Sequence, residues 1–158
     1  VIQTRGYTPA DAADFLTLYR ACLEHYNVPP ASSEQENRIL SYLHDQRHLS
    51  CLMAFNDDVP VGFATWALTF PAGSDFALYM KELFVVEATR GLGVGRALLV
   101  ELVRIADAEG CCRFDWQTDM GNAISQAFYE KVQAPRFEKV TYRVMSEDYA
   151  AFRARLGG

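Results

Sequence analysis

The chain switches between helical and strand periodicity several times. Residues 1–5 predict a short strand. Thr8-Pro9-Ala10-Asp11 then carries a helix start: a hydroxyl, a proline at the first helical position and an acid three residues after the cap. Phe15, Tyr19, Cys22, Leu23 and Tyr26 follow at helical spacing on one face, and Pro29-Pro30 stops the helix. Ser33 and Glu36 offer a second capping box, after which Ile39, Leu40 and Leu43 line one side of another helix. From Leu49 the period shortens. LSCLMAF (49–55), the polar Asn56-Asp57-Asp58 and VPVGFATWALTF (59–70) predict a hairpin, followed by a loop over Pro71-Ala72-Gly73-Ser74. FALYMKELFVV (76–86) is apolar on both faces and predicts a central strand. Alternation would put Met80, Glu82 and Phe84 on one of its faces and Lys81 and Leu83 on the other. Residues 94–109 predict a helix with Leu98, Leu102 and Ile105 on one face, ended by Gly110. A strand over 112–118, with Phe114 and Trp116 facing one way, a helix over 122–131 and strand-like residues over 136–145 follow. Tyr149, Phe152 and Leu156 mark a final helical turn or two.

The order is β-α-α-β-β-β-α-β-α-β. Short turns between consecutive strands imply antiparallel pairing, and the helix between 76–86 and 112–118 implies a parallel crossover. The predicted class is therefore α+β, a mixed α/β arrangement with a largely antiparallel sheet and helices on both faces. With 158 residues and no linker composition, one domain over 1–158 is expected. Half the residues are hydrophobic and 22% are charged, the proportions of a globular protein rather than a disordered one. Fifteen basic against twenty acidic residues give a net charge of -5, which argues against a nucleic-acid partner. No apolar run approaches the ~18 residues a membrane span needs. No signal peptide is visible after Val1. Cys22, Cys51, Cys111 and Cys112 lack metal-type spacing and read as reduced thiols, so a cytoplasmic setting is expected.

Composition hides one local concentration of charge. A buried strand runs into Arg90-Gly91-Leu92-Gly93-Val94-Gly95-Arg96, and a helix starts inside that run. Glycines allow positive φ and close approach to a ligand, and the N–H groups opening a helix favour an anion such as a pyrophosphate. Gly95-Arg96-Ala97 lacks the Lys-Ser/Thr of a nucleotide-triphosphate loop, and the spacing is not G-x-G-x-x-G. Arg90, Gly93 and Gly95 match R-x-x-G-x-G instead. That pattern resembles the acyl-coenzyme A loop of the GNAT N-acetyltransferase superfamily; the bland alternative is a strand–helix connection with convenient glycines. The element order and N-A-I-S-Q-A-F-Y-E-K (122–131) strengthen the resemblance, which covers about 140 residues. It looks nearest the diamine (spermidine/spermine-type) acetyltransferase branch. Ser125 stands where the family often has Ala, and Gln133 where Gly commonly follows the helix.

The resemblance implies a GNAT fold and acetyl-CoA (coenzyme A) as co-substrate, held by Leu83, Phe84, Val85, the turn Arg90–Arg96 including Gly91, Leu92 and Val94, and by Asn122 and Phe128. A backbone N–H between Leu83 and Val85 would serve the oxyanion. Asn122 has the alternative role of helix N-cap. Transfer to an amine needs the amine neutral, the oxyanion stabilised and the leaving thiolate protonated. Presenting a lysine-like amine neutral at physiological pH costs about 4 kcal/mol, which a base would offset. Tyr129 is the implied acid, with a core aromatic as its plain alternative. Glu82 is the candidate base, with a rim salt bridge as its alternative. Asp75, Glu82 and Glu24 or Glu34 would suit a cationic acceptor.

The expected activity is N-acetylation of a primary amine on a small molecule, polyamine- or amino-acid-like. Alternatives are acetylation of a protein lysine or N-terminus, and a non-catalytic acyl-CoA sensor. No metal is expected: His44 and His48 are four apart, but the helix should end before His48, leaving solvated histidines. His25 reads as a surface residue. No membrane partner is expected, and related enzymes that pair through their C-terminal strands make a homodimer an open expectation.

Overall fold

A computed structural model describes residues 1–70 and 73–157. By contacts the chain divides into two compact units, Val1–Gly121 and Asn122–Gly158. Pro71 and Ala72 of the expected loop lie outside the described residues.

The first unit is a five-stranded sheet in the order β1-β2-β3-β4-β5. Its strands are β1 (Ile2–Gly6), β2 (Ser50–Asn56), β3 (Val59–Thr69), β4 (Ala77–Val85) and β5 (Arg113–Asp115). The first four are antiparallel neighbours, and β4 and β5 are parallel. Helices α1 (Ala12–His25) and α2 (Ser33–Asp45) precede β2, and α3 (Val94–Ala108) joins β4 to β5. This is the mixed α/β architecture expected. The tight turn between β2 and β3 places Asp57 and Asp58 at φ 48° and 65°, the primed geometry that suits a two-residue hairpin.

Alternation on the strands sorts two cores. Cys51, Met53, Phe55, Phe63 and Phe84 pack with Phe15, Leu18 and Cys22 of α1 and Leu43 of α2. The intervening positions, Leu52, Ala54, Ala64 and Leu78, are fully buried on the other side, where α3 brings Val94, Leu98, Leu102 and Ala106. So helices cover both faces. Each face hides side chains of Leu or Phe size, each contributing about 1.5–3 kcal/mol of apolar burial. The start of α1 is held by Asp11, whose carboxylate accepts from the Thr8 N–H at 2.8 Å and from both Arg5 guanidinium nitrogens at 2.7 Å.

Three expectations need correction. The capping box of α2 sits one residue earlier, with Ser32 and Gln35 as the reciprocal pair. Glu36 is thereby freed to pair with Arg20 at 2.7 Å. The alternation along β4 is broken. Thr65 pairs with Glu82 but Trp66 pairs with Met80, so Lys81 is an extra residue opposite the step between them. Directly opposed residues share a face, so Met80 lies on the α3 side with Trp66, and Glu82 and Phe84 lie on the α1 side. Strand β5 spans three residues rather than 112–118, because pairing with β4 ends at Tyr79↔Asp115, immediately before the bulge that bends β4 away.

The second unit holds α4 (Ala123–Lys131) and α5 (Tyr149–Arg155). Residues 136–145 form no strand. Alternating apolar residues define faces but supply no hydrogen-bond partner, and Phe137, Val140 and Tyr142 are about four-fifths or more exposed. No helix among the described residues is long and apolar enough to cross a membrane.

Candidate functional site

The parting of β4 from β5 is the centre of the first unit's site. Beyond Tyr79 the β5-facing edge of β4 has no strand partner among the described residues. Which groups line that edge follows from ladder parity. Val86 N–H donates to Val61 C=O at 2.9 Å, which fixes the parity of the ladder. Alternation then makes Phe84–Phe63 and Glu82–Thr65 bonded pairs, and it turns the N–H and C=O groups of Leu83 and Val85 toward the open edge. These two residues were singled out from the sequence. Phe84 instead fills the core beside Phe63, at 6.0 Å between ring centroids, and its backbone is spent on β3. It supports the site and does not line it.

Glu82 is partly buried on the α1 side. Burial raises its pKa above the ordinary carboxylate range; the Lys81 cation opposes that rise, and Asp119 adds to it. Cys22 of α1 lies within reach of the same charge: burial, then Glu82, push its thiol up to about 12. That thiol is therefore inert packing. A carboxylate whose pKa is raised by burial suits a proton acceptor.

At its C-terminal end β4 runs into a single turn of tight helix, Glu87–Thr89, and then the glycine turn. Gly91 and Gly93 hold φ at 84° and 90°, conformations that residues with a Cβ rarely take. Gly93 is the N-cap of α3, and no side chain caps that helix start. Its first turn contains no acid, so the opening N–H groups and the dipole face outward without a built-in counter-charge. Arg96 is exposed in that turn, while Val94 is buried and anchors it. Gly62 of β3 lies beneath: a Cβ there would sit 2.7 Å from the Phe84 carbonyl oxygen and 3.3 Å from Val94.

Arg90 departs from the simple expectation of a forward-facing cation. Its Nε donates to the Val85 carbonyl at 3.2 Å, and its Nη2 lies 3.4 Å from His25 Nε2 at the end of α1. His25 is exposed, as the sequence implied, but its contact with Arg90 was not legible there. The only signal for it was its position just before the Pro29-Pro30 stop, which says nothing about a partner 65 residues away.

In the second unit Asn122 caps α4, its Oδ1 accepting from Ser125 N–H at 3.0 Å. The capping role is thus filled, and it leaves the Nδ2 donors for another use. The Phe128 and Tyr129 rings meet at a tilt of 54°, 5.2 Å between centroids. Gln133 takes φ 56°, so the turn after α4 keeps the left-handed shape that glycine would supply. The Tyr129 carbonyl accepts from Ala134 N–H at 2.9 Å within that turn.

His44 differs from the expectation of solvent alone: its Nε2 is 2.9 Å from the Tyr7 hydroxyl. His48 lies beyond the end of α2, as expected. Among the described residues no group of three His, Cys, Asp or Glu side chains is arranged to hold a metal.

Comparison with known proteins adds four relationships. Residues 13–134 match the model of the acetyltransferase (GNAT) family. A D-amino-acid N-acetyltransferase, HPA3, of Saccharomyces cerevisiae is 39% identical over 66 residues; the match spans 42% of this chain and 40% of that protein. An integron cassette protein from the mobile metagenome of V. cholerae is similar in structure, with a TM-score of 0.82 and 26% identity over 96% of this chain and 97% of its own. AAC(6')-Iy, solved with the bisubstrate analogue CoA-S-monomethyl-acetylneamine, shares the fold at a TM-score of 0.80 and 19% identity, covering 92% of this chain and 98% of its own.

Proposed function

The chain belongs to the acetyltransferase (GNAT) family, and from that premise we propose that it transfers an acetyl group from acetyl-CoA to the primary amine of a small molecule. The observation that carries this reading is the continuity of the open β4 edge with the uncapped, acid-free start of α3. An extended amide-bearing arm would add to the edge through Leu83 and Val85 as an extra strand does. A pyrophosphate would meet the N–H groups of Gly93 to Arg96 and the Arg96 charge. Gly91 and Gly93 give the turn its shape, and Leu92 stands exposed at its tip. The residues present therefore fit coenzyme A, which supplies the thioester.

The chain's own groups would do the rest. Glu82 removes the proton that the ammonium must lose before attack. An N–H of Leu83 or Val85 donates to the carbonyl oxygen as it gains charge. Tyr129 supplies a proton to the departing sulfur, and Asn122 uses its free amide donors on the arm. These roles rest on the family resemblance together with the local geometry of each unit.

For the acceptor, we favour an amino-acid-like compound over a polyamine. Lys81 acts electrostatically on Glu82, so both signs lie close together at this point of β4. A polyamine would meet Lys81 as a like charge, whereas a zwitterion is complementary to the pair. The partial similarity to a D-amino-acid N-acetyltransferase points the same way. The test is thiol release from acetyl-CoA with a panel of D- and L-amino acids, polyamines, aminoglycosides and peptides. Turnover with peptides alone would shift the reading to protein acetylation; tight acetyl-CoA binding without release for any amine would make the protein a sensor. Phe137, Val140 and Tyr142, exposed and outside any strand, support a homodimer through this segment, measurable by light scattering.

A further inference from the structure

Arg90 occupies the first position of the glycine turn, yet its guanidinium is turned back on the protein. One nitrogen holds the Val85 carbonyl at the end of β4, and another meets His25 at the end of α1. The His25 ring also stands against Phe84, at 6.1 Å between centroids, and against Tyr26 at 4.9 Å. Three elements therefore converge on one arginine: the end of β4, the end of α1 and the loop that leads into α3.

A guanidinium has donors only, so His25 Nε2 must offer its lone pair in this contact. That requires a neutral ring with its proton on Nδ1. A protonated ring would present N–H to N–H and a cation to a cation. We propose that His25 is a positioning residue for the anion-binding turn: in its neutral form it holds Arg90 against β4, and it lets go when protonated. The titratable and charged groups near the ring are Tyr26 at 4.9 Å, Arg90 and Glu87 from the loop, and Cys22 and Glu24 on its own helix, with Glu82 two residues from Phe84 along β4.

The consequence is a pH dependence of coenzyme binding that belongs to neither reactant, and it rests on the reading of the turn as a coenzyme A site. Two measurements keep the two ideas apart. The first needs no coenzyme: hydrogen–deuterium exchange of the free protein over residues 87–96, corrected for the intrinsic pH effect. Exchange should be about three- to fivefold faster in His25→Ala than in the parent at pH ~8, as expected for loss of one solvent-accessible hydrogen bond. The parent should approach the variant at pH ~5.5. The second is the acetyl-CoA Kd at both pH values for the parent, His25→Ala and His25→Gln. A glutamine carbonyl can accept from Arg90 at any pH. His25→Gln should keep the parent's affinity at pH ~8 and lose less of it at pH ~5.5, while His25→Ala is weakened at both. The coenzyme's own phosphate titrates in this range, so the comparison is among variants and not across pH alone. Unchanged exchange in His25→Ala, or a pH profile for His25→Gln that overlays the parent's, overturns the role of His25. Failure of every form to bind acetyl-CoA, with the exchange difference intact, overturns the coenzyme reading and leaves the His25 contact standing.

Discussion

Gly93 offers a sharp test because its geometry separates strain from collision. Its φ of 90° lies in the left-handed region, and among the described residues no atom beyond its chain neighbours lies within 4 Å of the place a Cβ would take. Gly93→Ala therefore brings no clash. It brings only the penalty for holding an L-residue in that conformation, about 1–2 kcal/mol. The penalty has two outlets. If the turn keeps its shape, the strain appears in stability, lowering Tm by about 2–8 °C for a chain of this size. If the turn relaxes, the N–H groups opening α3 lose their aim, and acetyl-CoA binding weakens by roughly 5- to 30-fold, the same free energy read as affinity. Thermal unfolding of the free protein and titration calorimetry with acetyl-CoA measure both outlets on one preparation. Gly93→Asn should recover much of the loss, because asparagine tolerates left-handed φ, whereas Gly93→Val should be worse than alanine. Unchanged Tm and Kd in Gly93→Ala, or an asparagine variant as damaged as the valine one, would refute the reasoning.

Three further outcomes follow from the site and its support. Glu82 must be ionised to accept a proton, so kcat/KM should fall as pH drops through its raised pKa, and Glu82→Gln should lower turnover and flatten that limb. The same raised pKa means the folded state holds its proton to higher pH than the unfolded chain does. Stability therefore declines as pH rises from the ordinary carboxylate value through the raised one, and Glu82→Gln should be more stable than the parent in urea at neutral pH. Asp11 is the opposite case: the Arg5 fork and the Thr8 donors hold its pKa well below the usual range. Its contribution is complete above about pH 4 and lost as pH falls through the lowered value; Asp11→Asn should cost about 1–3 kcal/mol at neutral pH, discounted for the half-exposed arginine, with the gap to the parent closing in acid. Tyr129→Phe should reduce kcat by about 10²-fold or more with the acetyl-CoA Kd nearly unchanged; full activity would remove Tyr129 from its role.

Most of the sheet was legible because alternation and turn residues are local signals. Asp57-Asp58 fixed the hairpin, and Leu98 and Leu102 fixed the buried face of α3. The glycine turn was legible for the same reason, since left-handed φ narrows the choice of residue. What the sequence hid was non-local. Nothing in the run Met80-Lys81-Glu82 marks Lys81 as the extra residue, because a bulge is a property of two strands and both must be paired before it exists. The Arg90–His25 contact was hidden likewise, by the 65 residues between the partners. The failed strand at 136–145 shows the reverse error: the pattern was present, but a pattern does not supply a neighbour.

The bulge at Lys81 has one more implication. Counted along β3, strand β4 is one residue too long, and its pairing with β5 stops one residue short of where that surplus is absorbed. A chain lacking Lys81 would retain every pair from Gly62↔Val85 to Thr69↔Ala77 and lose the bend. We expect its β4 to run straighter and its pairing with β5 to extend past Tyr79, which would close the edge that the proposed coenzyme arm needs. The opening is in that sense an insertion rather than a substitution, and a scan of point mutations across the strand would never find it.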